Sequence, residues 1–406
     1  MNVNWCKQEL FLTFTLLLAF IMVSAGSSKA DSMFGAAHLG VPLSSADTRS
    51  RGMGGVSMAI SGEDFSFANP ARTVNFWRAG FNAAISQDYR NIKDAAGSSS
   101  LRATDFLSFR GIFPTYKGLV VSFGVYQWRD LTWDYTDEVT VDILPNDFKR
   151  TLSTNGGLYI SQLAIARTVS PHLAFGLGLD WSFGRAQQQR ALDFQNTDYH
   201  NNLESYDFRY SFFRPTFGIL TSYKGTNLGF SLSTSRSAPV SQRINFYNGY
   251  QARRKEELKY PASWRLGISR RLSQRSVLAA DLEYEGWQSS DLLLASPFTA
   301  DNQLRYGIGF ELLPAAGENP PAYRKFPLRV GFSHTTYPFR IDGAKVVENS
   351  FSFGSGRYYG NSSGLADVAF EYLRRSTAAA GYPEENVFRI VFSLSAFEKW
   401  TSRPRR

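Results

Sequence analysis

Arg51 to Ala71 reads RGMGGVSMAISGEDFSFANPA, with Gly52, Gly54 and Gly55 inside four residues and Asn69-Pro70-Ala71 at its end. Glycine-rich runs can cradle phosphate, so nucleotide binding is the first chemistry to weigh. A P-loop needs Lys-Ser or Lys-Thr after its second conserved glycine, and none is present. A dinucleotide fingerprint needs a third glycine where Ser57 stands, and a strand before it. Hydrolytic chemistry fares no better. The four histidines, His38, His172, His200 and His334, are scattered, and no serine can be assigned to any of them as a nucleophile. Their spacing does not suit a metal site, and the one cysteine, Cys6, sits near the start of the chain. No enzyme, cofactor or metal centre is expected.

The charged residues hold a different pattern. Arg265, Arg271, Asp281, Glu283, Arg305, Glu311, Arg329, Asp367, Glu371 and Arg389 alternate with apolar neighbours. Alternation with a period of two marks strands. In Leu173 to Gly184, Leu173, Phe175, Leu177, Leu179, Trp181 and Phe183 share one face, and only small or polar residues share the other. Such runs last about 9–12 residues, the reach of a tilted strand crossing a bilayer. An apolar outside and a polar inside describe a transmembrane antiparallel β-barrel, whose lumen receives the charges.

Fourteen candidate strands follow from the same reading. They begin at Trp77, Thr104, Leu119, Leu158, Leu173, Tyr206, Asn227, Trp264, Val277, Leu304, Leu328, Ser350, Leu365 and Val387. An even number suits a single-chain barrel, and short and long links should alternate around it. If a tight turn joins Leu272 to Ser276, Arg265 lies opposite Glu283. Tyr206 to Tyr223 changes parity at Phe212-Phe213, which predicts a β-bulge there and a kinked strand.

Composition agrees. Aromatic residues are 15% of the chain while hydrophobic residues total only 43%. The net charge of +9 is spread out, unlike a nucleic-acid footprint. Residues 1–30 read as a cleaved secretory signal, with Lys7, an apolar run from Phe11 to Val23, and Ser28-Lys29-Ala30.

Tyr260 to Trp287, YPASWRLGISRRLSQRSVLAADLEYEGW, resembles the outer-membrane transporters of long-chain fatty acids and aromatic hydrocarbons, the FadL/TodX family. Its Pro-Ala-x-x-x-x-Gly strand, tight turn and Ala-Ala-Asp strand ending in Trp are similar to theirs. Arg51, Gly52, Gly54, Gly55, Asn69, Pro70 and Ala71 resemble the family's N-terminal signature, although Arg72 stands where a glycine is usual. The chain also ends in a basic stretch rather than an aromatic residue. The resemblance implies an all-β fold: a hatch of residues 31–73 inside a barrel of residues 74–398, then a tail of residues 399–406. It implies gating by the hatch, with Phe65 and Phe67 offering apolar contacts to a ligand or to the wall. The expected partners are a hydrophobic small molecule, outer-membrane lipid and lipopolysaccharide, with a monomer as the default. Related barrels serve as PorV-like secretion shuttles, so a protein scaffold is the alternative.

Overall fold

The computed structural model describes residues 32–35, 40–93, 97–115, 118–139, 148–194, 201–245, 250–290, 298–315, 321, 324–360 and 362–398. The signal and tail assignments, His38 and His200 lie outside them. Fourteen antiparallel strands close into a barrel. They are β1 (Ala79–Lys93), β2 (Ser98–Pro114), β3 (Leu119–Asp130), β4 (Phe148–Ser170), β5 (Leu173–Asp193), β6 (Asn202–Tyr223) and β7 (Thr226–Ser233). Then come β8 (Ser263–Arg271), β9 (Ser276–Glu285), β10 (Gln303–Leu312), β11 (Leu328–Ile341), β12 (Ala344–Tyr359), β13 (Gly364–Thr377) and β14 (Glu384–Glu398). The seam is β14 on β1, from Glu384 opposite Lys93 to Glu398 opposite Ala79.

The two faces of the wall follow the alternation. Phe175, Leu177, Leu179 and Trp181 are exposed on the outside, while Ala174, Asp180 and Ser182 are buried inside. An apolar band this continuous is stable only against hydrocarbon. No helix among the described residues is long and apolar enough to cross a membrane. Both ends of the barrel and most of the short turns share one rim, which faces the periplasm in this architecture. One such turn joins β6 to β7 through Lys224 and Gly225, at φ 46° and 78°, the mirror-image turn that suits a twisted hairpin.

Strand length departs from expectation. β4, β5 and β6 run 23, 21 and 22 residues. The apolar pattern marks where lipid ends, not where pairing ends. Above the band the strands continue with polar residues facing out, so most of the long links predicted from sequence are strand. The strand opening β12 likewise starts at Ala344, after a tight Asp342-Gly343 turn.

The bulge predicted at Phe212-Phe213 is absent. β6 pairs with β5 in unbroken register from Asn202 to Thr221. Phe213 faces out, and Phe212 faces in and stacks on Tyr260 at 3.9 Å. Parity changed because the surroundings did: Phe208, Tyr210 and Phe212 stand above the lipid, where the apolar side is the interior. Pro215 keeps the strand whole because its missing N–H falls between the β7 pairing, which ends at Thr216, and the pairing with residues 240–245.

Candidate functional site

Residues 40–76 fill the lumen. The segment lacks a sheet of its own, so its backbone polar groups are met one by one. A single helical turn, Thr48–Arg51, is capped by Asp47, whose Oδ1 accepts from the Ser50 amide at 2.9 Å. Its Oδ2 accepts from the Phe65 amide at 2.7 Å, tying the two ends of the hatch together. Arg72 donates to Asp64 at 2.6 Å and to the carbonyls of Ser57 and Ile60. Arg72 is thus a clamp across the segment. Burial, then the negative charge of Asp64, pushes the Asp47 carboxyl well above its usual range. Asp64 is buried too, but Arg72, the hydrogen bonds with Asp47 and Ser50, and Arg49 together outweigh that burial and hold its carboxyl below the usual range.

The glycines of the opening stretch allow contact with the wall. Gly54 and Gly55 sit at φ 71° and 72°, where a side chain is strained. A Cβ on Gly54 would come within 2.6 Å of the Phe332 carbonyl oxygen, and one on Gly331 would meet the Gly54 amide. Gly52 faces Gly354 in the same way. Backbone therefore lies on backbone, and the Gly54 amide donates to Ser352 Oγ at 2.8 Å. Asn69 caps the Pro70–Asn75 turn, its Oδ1 accepting from the Ala71 amide at 3.0 Å. Its Nδ2 donates to the Ile219 carbonyl of β6 at 3.0 Å. Pro70 and Ala71 pack on Gly218 and Gly176 of the wall.

Phe65 and Phe67 are buried against the wall. Phe65 meets Phe76 and Phe397 at 4.9 and 5.8 Å, and Phe67 meets Tyr126 at 4.7 Å with the Arg110 guanidinium over its ring.

The lumen charges form chains that reach the hatch. Arg49 makes a bidentate pair with Glu311, which binds Arg329 at 2.8 Å, which binds Asp367 at 2.6 Å. Arg51 reaches Glu371 at 3.3 Å; Glu371 meets Arg389, which pairs with Asp88 at 2.7 Å. Arg265 stands opposite Glu283 across β8 and β9, with the ions 3.5 Å apart. Arg305 shares Glu283 at 3.3 Å and donates to the Gly54 carbonyl at 2.5 Å. Among the described residues Asp281 has no ion-pair partner; its Oδ2 accepts the Ser57 and Met58 amides at 2.5 and 2.9 Å. Arg271 must be struck from the network: the strand reaches the periplasmic rim there, and its side chain is exposed. The cavity among Arg51, Glu283, Glu371 and Arg389 measures only about 60 Å³.

Two features escaped the sequence. Above the hatch, Phe34, Trp128, Phe212, Tyr260, Trp287, Tyr337 and Phe339 form an aromatic cluster inside the barrel. The wall beside it is also interrupted. β2 pairs with β3 only from Ser108 to Pro114, while its upper half, Ser98–Leu107, has a strand partner among the described residues only on the β1 side. Trp128 is an extra residue in β3, between the pairs Gln127–Tyr159 and Arg129–Leu158. The free edge is met from inside. Val41 and Pro42 of the hatch pair with Asp130 and Arg129, and the Leu43 amide donates to the Trp128 carbonyl at 2.9 Å. The kink sought at β6 thus lies at β3.

The fold recurs in solved structures of low sequence identity. A FadL homologue of Pseudomonas aeruginosa is 14% identical, with a TM-score of 0.63 over 89% of this chain and 100% of that one. The toluene transporter TodX of P. putida is 13% identical, TM-score 0.59, over 89% and 99%. The toluene transporter TbuX of Ralstonia pickettii is 12% identical, TM-score 0.56, over 88% and 98%. No curated protein matches the sequence. The profile of a family described as BamG matches residues 6–405. A closed fourteen-stranded barrel of FadL-like fold, filled by a glycine-fitted N-terminal segment, the chain belongs to the BamG family.

Proposed function

We propose that the protein is a passive outer-membrane transporter for hydrophobic compounds, long-chain fatty acids or aromatic hydrocarbons, gated by residues 40–76. The observation that carries this reading is the interrupted wall at β3, closed from within by Val41–Leu43. An apolar solute gathers at the aromatic cluster around Trp128, and withdrawal of that short segment leaves a sideways route between β2 and β3. Transport by partition needs no chemistry, only an apolar path and a movable stop.

The test is a disulfide between Val41→Cys and Asp130→Cys, which face each other in the bridge. Liposome uptake of labelled fatty acid should be blocked by oxidation and restored by reduction. Uptake indifferent to the cross-link would end this route.

One observation favours a second reading, a scaffold for a protein partner. The lumen cavity of about 60 Å³ is lined by charged groups, well below the roughly 300 Å³ typical of small-molecule pockets. A stoichiometric protein retained on purification, with no uptake above an empty-barrel control, would select the scaffold.

A further inference from the structure

The outer surface of the wall carries cations that neither hatch nor lumen uses. On β5 the outward residues from Leu173 to Phe183 are apolar, and Arg185 is the next one up. Ten residues at about 3.3 Å each, tilted about 40°, rise roughly 25 Å, the height of the lipid-facing band of such barrels. Arg185 therefore stands at the level of the outer leaflet's headgroups.

The register extends this position into two rows. Arg185 lies opposite Arg209 on β6, Arg209 opposite Ser241, and Ser241 opposite Lys255. One step higher the row reads Gln187, Asp207, Arg243 and Arg253. The inward parity is taken by buried Ala186, Val240 and Ile244, so the cations face out. Arg185 and Arg209 are 57% and 63% exposed. The rows hold five cations and one carboxylate: Asp207, 2.7 Å from Arg185 and 3.9 Å from Arg209. Glu257 stands one row lower, at the far edge. Asp207 lies between Arg185 and Arg209, but Arg243 and Arg253 are directly opposed like charges, an arrangement that weakens a sheet unless an anion lies between them.

We propose that this strip binds the phosphorylated glycolipid of the outer leaflet, the lipid A part of lipopolysaccharide. Its phosphates sit among Arg185, Arg209, Arg243, Arg253 and Lys255, and its acyl chains run down past Phe183, Trp181 and Phe213. Guanidinium groups suit phosphate through paired N–H donors, and charge complementarity singles out this arc of the rim. The inference rests on the outer-membrane placement and not on transport.

The experiment is native mass spectrometry of the full chain purified from outer membranes in mild detergent. Wild type should retain lipid A, and Arg209→Gln/Arg243→Gln/Lys255→Gln should lose it by about tenfold. Arg270→Gln, at the opposite rim, should match wild type. Delipidated wild type should rebind lipid A but not lipid A stripped of its phosphates. Heat-modifiable migration confirms that the triple variant is folded; if it is not, Arg209→Gln alone should lose about threefold. Equal retention by the variant, or equal rebinding of phosphatidylglycerol, overturns the proposal. Failure of fatty-acid uptake leaves it standing.

Discussion

Asp281 of β9 holds the amides of Ser57 and Met58 on one carboxylate oxygen, across 224 residues of sequence. Two backbone donors of the hatch thus depend on one wall side chain. Removing a buried hydrogen-bond partner costs about 1–3 kcal/mol. Asp281→Ala should speed amide exchange at residues 57 and 58 while the barrel amides stay protected. Asp281→Asn, which keeps an acceptor oxygen, should do so less. Unchanged exchange in the alanine variant would show that the wall does not hold this part of the hatch.

Gly331 tests the backbone contact. A methyl there meets the Gly54 amide, so Gly331→Ala should displace the hatch locally, at a cost of about 1–3 kcal/mol. Limited proteolysis should cut the variant near residues 52–62 and leave the barrel whole. Gly343→Ala is no matching control for space alone, because its φ of 77° adds strain.

Arg49 and Glu311 are both buried, so losing Arg49 leaves the Glu311 carboxylate only Arg329 as a cation among the described residues. Arg49→Met should cost about 3–5 kcal/mol. Adding Glu311→Gln should recover part of that loss, seen as a higher unfolding midpoint than in the single variant. A double variant no more stable than the single would mean that Arg329 alone suffices for Glu311.

The two hatch carboxylates predict opposite responses to acid. Asp64 titrates below its unfolded value of about 3.9, so its contribution is present above that pH and is lost as pH falls through the lower folded value. Asp47 titrates above its unfolded value, so protonation favours the folded hatch. Asp47→Asn keeps one oxygen for the Ser50 amide but sets an NH2 against the Phe65 amide, so it should weaken the hatch by about 1–3 kcal/mol, at neutral and at acid pH alike. Asp64→Asn should loosen it at neutral pH and flatten its acid sensitivity. Amide exchange of residues 47–66 against pH measures both.

Leu177 faces lipid near the middle of the apolar band, and Phe183 stands at its upper edge. Leu177→Arg should cost about 2–4 kcal/mol and Phe183→Arg about 0–1 kcal/mol. Equal costs, measured by unfolding in lipid vesicles, would contradict the assigned depth.

Lipid made the strands legible. Where hydrocarbon lies outside, every second residue must be apolar, and all fourteen crossings are readable from positions such as Leu177 and Ile268. Above the band that pressure ends, so Arg185, Gln187 and Gln189 look like loop although they pair. Phe208 to Phe213 misled for the same reason, since apolar meant outward below and inward above. The pairing of Arg265 with Glu283 was open to sequence because a short turn fixes register. The contacts of Gly54, Ser57 and Arg49 with the wall were not, because no local rule links residues so distant. The Asp47 cap had a local signal, an Asp before a short turn, and went unread.

The seam joins the first strand to the last, Lys93 beside Glu384. A ribbon whose two margins meet only when its final stretch arrives cannot be shut early. The N-terminal segment, made first and bound to β6, β9, β11 and β12, must be gathered into the curling sheet before the margins touch. The stopper is thereby a mould for its own vessel, and shortening it should slow closure of the ring even where the finished wall would stand without it.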